Sequence, residues 1–243
     1  MSYDPTANAG LGTDGLEESN SLPLINVIQQ LSPQFNQDDE KYIEGSKVGD
    51  MFFAPTGEIL PQPISFIPTA FRTMYVEWKP KDLGGGIVGT HPLSIVSSPD
   101  YKQGVKAQYD EWLGEHELKK TTYVLGFMDL NGTPTECMIA FVSTGQKVAR
   151  LLQKNIRNFR YDGKFKDVPP AVFARSWDLT TVREKNAKGQ SYYVMAFNSP
   201  KTLDFTKNED ILNLCADQAK HAVKTLPSVD AAPKPSLEAS DNY

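Results

Sequence analysis

Six stretches of the chain are rich in β-branched and aromatic residues and are fenced by turn formers: VGDMFFA (48–54), ISFIPTAFRTMYVEW (64–78), TTYVLGFMDL (121–130), TECMIAFVST (135–144), SWDLTTVREK (176–185) and QSYYVMAFNS (190–199). They predict strands, because branched and ring side chains pack well on a pleated surface. Asn131-Gly132 between two of these runs predicts a hairpin, with a loop of about four residues across LNGTP. Residues 186–189, Asn-Ala-Lys-Gly, predict a second hairpin joining 176–185 to 190–199. Pro68 lies inside the 64–78 run, so that strand should be bent, interrupted or at a sheet edge.

Two segments carry a helical period. In 145–158 the apolar Val148, Leu151, Leu152 and Ile156 fall on one side and Arg150, Lys154 and Arg157 on the other. In 208–226 an apolar stripe of Ile211, Leu212, Leu214, Cys215, Ala219 and Val223 follows Glu209 and Asp210, which suit a helix N-terminus. A short helix is also expected over 22–31, ending before Pro33, and another around 102–113 within a long excursion at 79–120. The order of strands, helix and closing hairpin predicts a mainly β fold with flanking helices. It matches an OB-like five-stranded barrel with a helix between strands 3 and 4, followed here by a C-terminal helix. The expected organisation is a disordered acidic leader at 1–21, one domain at 22–225 and a flexible C-terminal tail at 226–243.

No apolar run is long enough to span a bilayer, and the N-terminal residues lack a basic region followed by an apolar one. A reducing cytoplasm is therefore expected, with Cys137 and Cys215 as free thiols. The net charge of −5 is unevenly spread. Residues 1–50 hold nine acids and two bases, whereas 146–190 hold eleven bases and four acids, a local charge of +7. One basic segment is thus set among acidic ones, and the global sum hides it.

Gly84-Gly85-Gly86-Ile87-Val88-Gly89 satisfies a dinucleotide-binding glycine pattern, but such a site needs a helix directly afterwards, and Thr90-His91-Pro92 does not permit a long one. The segment reads as a flexible loop able to close over a ligand or partner. His91, His116, His221 and the two cysteines are scattered singly, without metal-ligand spacing. Asp38-Asp39 and Asp110-Glu111 are neighbours that point to different faces. No catalytic constellation emerges, so a non-enzymatic protein without cofactor or metal is expected.

What remains is the interleaving of bases and aromatics in 147–193. Single-stranded nucleic acid is held by this combination, because cations follow the phosphates while ring faces stack on bases of any identity. The expected groove is lined by Arg150, Lys154, Arg157, Arg160, Lys164, Lys166, Arg183, Lys185 and Lys188, with Phe159, Tyr161, Trp177, Tyr192 and Tyr193 for stacking. The competing reading is a solvated basic face over core aromatics. Strand alternation requires at least one of Trp177, Tyr192 and Tyr193 to point inward.

The basic helix, the strand SWDLTTVREKN and the hairpin ending in QSYYVMAF resemble the OB-fold single-stranded-DNA-binding proteins of tailed bacteriophages, including the T7-like group; AFRTMYVEWKPKD and GGGIVGTHP also have the look of phage sequence. The resemblance implies a protein that coats single strands during phage replication or recombination in the bacterial cytoplasm, with replication or recombination proteins as partners through acidic termini. The C-terminal segment 226–243 ends in an aromatic but carries only −2, so the N-terminal segment is the stronger acidic candidate for masking the groove. The alternative is a virion structural or assembly protein, docking through 79–120 and the acidic leader and lacking nucleic-acid affinity.

Overall fold

The computed structural model describes residues 23–107, 110–185 and 189–225. The leader at 1–21, the tail at 226–243 and the hairpin tip with Lys188 lie outside these described residues. In chain order the strands are β1 (Ile25–Val27), β2 (Met51–Phe53), β3 (Glu58–Leu60), β4 (Ile64–Trp78), β5 (Ile87–His91), β6 (Tyr101–Gln103), β7 (Glu111–Leu113), β8 (His116–Leu130) and β9 (Thr133–Val142); helix α1 (Gln146–Asn158), strands β10 (Arg175–Lys185) and β11 (Ser191–Thr202) and helix α2 (Glu209–Thr225) complete the fold.

Strands β1, β2 and β3 form a small antiparallel sheet. The others form an eight-stranded antiparallel sheet in the order β11-β10-β4-β8-β7-β6, with β5 added to β4 and β9 to β8. This architecture overturns the OB-like five-stranded barrel. The expectation failed on the length of two strands: β4 and β8 each run 15 residues and pair from Phe66–Met128 to Trp78–Glu117. At one end this ribbon is flanked by β10 and β9, at the other by β5 and β7. The 79–120 excursion therefore extends the sheet as an arm. Where a short helix was expected around 102–113, β6 and β7 pair with each other.

Pro68 is accommodated inside β4, on a central strand, because the register with β8 shifts between Pro68 and Ala70. The extra residue reverses the alternation. Before it, Ile64 and Phe66 face a core shared with β1–β3 and α1; after it, Met74 and Val76 face a second cluster that contains Ala222 of α2. Opposite the shift lies Gly126, where a Cβ would stand 2.3 Å from the Ile67 carbonyl oxygen and 2.6 Å from the Phe66 ring. Only a residue without a side chain fits there.

The main core joins Ile25, Met51 and Phe53 of the small sheet to Val124, Ile139, Trp177, Leu179 and Met195 of the large one, with Ala149 and Leu152 of α1 closing it. Where a short helix was expected over 22–31, the structure has strand β1 at Ile25–Val27 and no helix among the described residues of the segment. Its Ile25 and Ile28 are 1% and 0% exposed, and β-branched side chains favour the extended form. β1 also bridges the large sheet: the Met138 N–H donates to the Pro23 carbonyl at 2.8 Å. On the other side, the Gln29 amide exchanges two hydrogen bonds with the Tyr193 backbone, at 2.8 and 3.0 Å. The Asn131-Gly132 turn is a two-residue loop, with φ of 54° and 81°, rather than the four residues expected. α2 covers the opposite face with Ile211, Cys215, Gln218 and Ala222, while Leu214, counted in the expected stripe, is 48% exposed. Burial pushes the Cys215 thiol up to about 12, so it serves as a small apolar group.

Gly126→Ala is expected to cost about 3 kcal/mol, since backbone sits where the methyl must go; chemical denaturation reads the loss, and an unchanged midpoint would show that the ribbon can shift to admit it.

Candidate nucleic-acid interface

α1 lies along the β10–β11 hairpin. At its first turn the Lys147 ammonium donates to Glu184 of β10, which also accepts from the Tyr192 hydroxyl at 2.9 Å. Just beyond its last turn, the Phe159 ring lies 4.5 Å from the Arg175 guanidinium at the start of β10. Helix and strand thus run antiparallel over about 20 Å, the length of a 13-residue helix. The amide of Gln146 fixes the starting point, donating to the carbonyls of Lys120 and Phe141 and accepting from the Thr122 hydroxyl.

With the apolar face committed to the core, Arg150, Lys154 and Arg157 point to solvent on the opposite side. Among the described residues none of the three has a carboxylate partner. The row leads into a cavity of about 540 Å³ past the end of the helix, lined by Arg157, Arg160 and Lys166, the apolar Ile156 and Val168, and one carboxylate, Asp167. Arg160 donates to the carbonyls of Arg157 and Phe159, both at 2.6 Å, so its positive charge also caps the negative end of α1. Lys164 lies in the adjoining turn, Gly163–Phe165.

Beside this cleft four rings pack edge to face: Phe159 on Tyr161 at 5.2 Å, Tyr161 on Phe205 at 5.5 Å, and Phe165 on Phe205 at 5.4 Å between centroids. Burial raises the Tyr161 pKa, so it stays a neutral phenol. Phe205 comes from the connection between β11 and α2, outside the basic segment, which is why sequence reasoning missed it.

The other predicted groove residues are placed elsewhere. Trp177 is 2% exposed inside the main core and offers no ring to a base, which corrects its expected stacking role. Tyr193 is a spacer: a Cβ at Gly49 would collide with its ring at 2.6 Å. Tyr192 is held by Glu184. Arg183 and Lys185 are exposed near the hairpin tip, next to the N-terminal end of α1 and therefore at the far end from the Arg157 cleft. Only the helix row, the turn after it and two of the five expected rings converge.

The Gly84–Gly86 segment has three positive φ values, 99°, 67° and 97°, and leads into strand β5, so no helix N-terminus is present to hold a pyrophosphate. His91 and His116, far apart in sequence, meet at Glu77: His91 Nε2 lies 2.6 Å from Oε2 and His116 Nδ1 2.5 Å from Oε1. The three residues tie β5, β4 and β8 together at the root of the arm. The two imidazole side chains are 20% and 28% exposed and the Glu77 carboxylate between them 10%, so the tie is partly buried. No helix among the described residues is long and apolar enough to cross a membrane.

Glu184 is held below the usual carboxylate range, first by the hydrogen bond from Lys147 and then by that from Tyr192. A depressed folded-state value means that the tie stabilises the fold fully above the ordinary glutamate value and is lost as pH falls through the depressed one. Carboxyl-carbon NMR titration is expected to give Glu184 a midpoint below the ordinary glutamate value, restored by Lys147→Met; an ordinary midpoint in the unmodified chain would remove the tie. Residues 2–225 match the model of a family described as Pam3 phage gp34-like protein, and the chain belongs to that family. No curated protein and no solved structure matches it.

Proposed function

We propose that this phage protein binds single-stranded DNA, without catalysis, along the solvent face of α1 and the turn that follows it. The observation that carries the reading is the row Arg150, Lys154 and Arg157, without a carboxylate partner among the described residues, running into the Arg157–Arg160–Lys166 cleft beside a partly exposed aromatic cluster. Cations without carboxylate partners gain most from phosphates, because no internal ion pair must be broken first. Rings next to them can take unstacked bases, which are available in single strands and not in a duplex. Coating of strands in phage replication or recombination is the role such a surface would serve.

The interface expected from composition, which included the β10–β11 hairpin, is narrowed here. Lys147 is neutralised by Glu184, and Arg183 and Lys185 stand apart from the cleft.

A second reading, as a virion structural or assembly protein, is favoured by one observation. The arm carries five large apolar residues, Leu83, Val88, Leu93, Val96 and Val105, each 41% to 50% exposed, which could contribute to protein docking. Presence of the chain in purified particles, together with no affinity for single strands, would establish that role instead.

Fluorescence titration with oligo-dT tests the first reading. Affinity in the micromolar range or better is expected, falling with salt at a log–log slope of about −0.7 per phosphate neutralised. Arg150→Glu with Lys154→Glu, both on the exposed face, should weaken binding at least tenfold with the melting temperature unchanged. A flat salt response, or no binding below millimolar concentration, overturns it.

A further inference from the structure

We infer that Phe205, with Phe165 behind it, is the nucleobase-stacking platform of this surface; the inference rests on the single-strand reading above and assigns the base contact to an element outside the basic segment. The rings form a gradient from the core outwards. Trp177 is 2% exposed, and Arg175 lies 5.6 Å from its ring and 4.5 Å from that of Phe159. Phe159 meets Tyr161, and Tyr161 meets both Phe165 and Phe205, at 6.4 and 5.5 Å. At the outer end Phe165 and Phe205 are 36% and 45% exposed.

A cluster that served only to hold the turn against the β11–α2 connection would place its largest apolar surface inward. This one leaves its two outermost rings partly exposed, Phe205 more than Phe165. Their contacts with neighbours are edge to face, at 65° to 87°, each using the edge of one ring and the face of the other, and the exposed part of the Phe205 ring is what remains for a base to stack on. The same stretch supplies the phosphate partners: Arg157 and Arg160 precede Tyr161, and Lys166 follows Phe165. A strand whose phosphates follow the helix row would bring a base to Phe205 at the helix end. Because ring faces accept any base, the site should tolerate sequence.

The test compares a labelled oligo-dT with an abasic oligonucleotide of the same length, which keeps every phosphate and lacks the bases, by anisotropy on the full chain. The native protein is expected to bind oligo-dT about tenfold or more tighter than the abasic strand. Phe205→Leu, which keeps apolar volume and removes the ring, should erase most of that advantage and leave abasic binding unchanged; Phe205→Tyr should retain it. Arg157→Glu should weaken both oligonucleotides alike. Equal losses on both strands in Phe205→Leu, or no loss on either, overturn the platform while the single-strand reading stands. If the native chain binds neither oligonucleotide, both fall.

Discussion

The antiparallel pairing of β4 with β8 is the constraint on which the rest of the structure depends. Four strands of the large sheet pair directly with this ribbon, β10 and β5 on opposite ends of β4, β9 and β7 on opposite ends of β8, and β11 and β6 extend the sheet through β10 and β7. Its single irregularity, at Pro68, decides which side chains face which helix. Had the alternation continued unbroken, Met74 and Val76 would point away from α2, and Tyr75 and Glu77 would be turned towards it. One extra residue, with glycine opposite, allows a single pair of strands to serve two cores.

The proposed interface is a by-product of that arrangement. Because β10 and β11 curl towards β9, with β1 laid between them, α1 has a surface to lie on that is apolar in the middle and polar at its ends. Burying Ala149 and Leu152 fixes the rotation of the helix, and the 3.6-residue period then sends Arg150, Lys154 and Arg157 outward. The charge lies on rigid secondary structure and the rings lie on the connections beside it.

Local patterns were legible where local physics decides them. The turn at 131–132, the pairing of β10 with β11, both long helices and the strand character of 64–78 follow from turn chemistry and periodicity. The OB-like barrel did not survive, because nothing in a single sequence says that TMYVEW and HELKKT continue one ladder beyond the point where a small barrel would close. The short apolar stretch LPLINVIQQL was ambiguous by length, and its pairing with β2 settled it as a strand. In the site, the outward row on α1 was readable from its period. The burial of Trp177, the neutralisation of Lys147 by Glu184 and the arrival of Phe205 are tertiary facts between residues well separated in the chain. The meeting of His91 and His116 at Glu77 belongs to the same category.

The register of the ribbon also says something about modularity. Trp78 and Glu117 are partners at its last rung, so the chain leaves β4 and re-enters β8 at adjacent points in space. In topological terms β4 and β8 are one hairpin, and the connection from Lys79 to Glu115 is its loop, enlarged until it carries strands of its own. Such a loop can grow, shrink or be exchanged without moving a residue of the main core, since the two chain ends it must join are already side by side. The arm is the part of this fold freest to diverge in shape while the surface carried by α1 stays as it is.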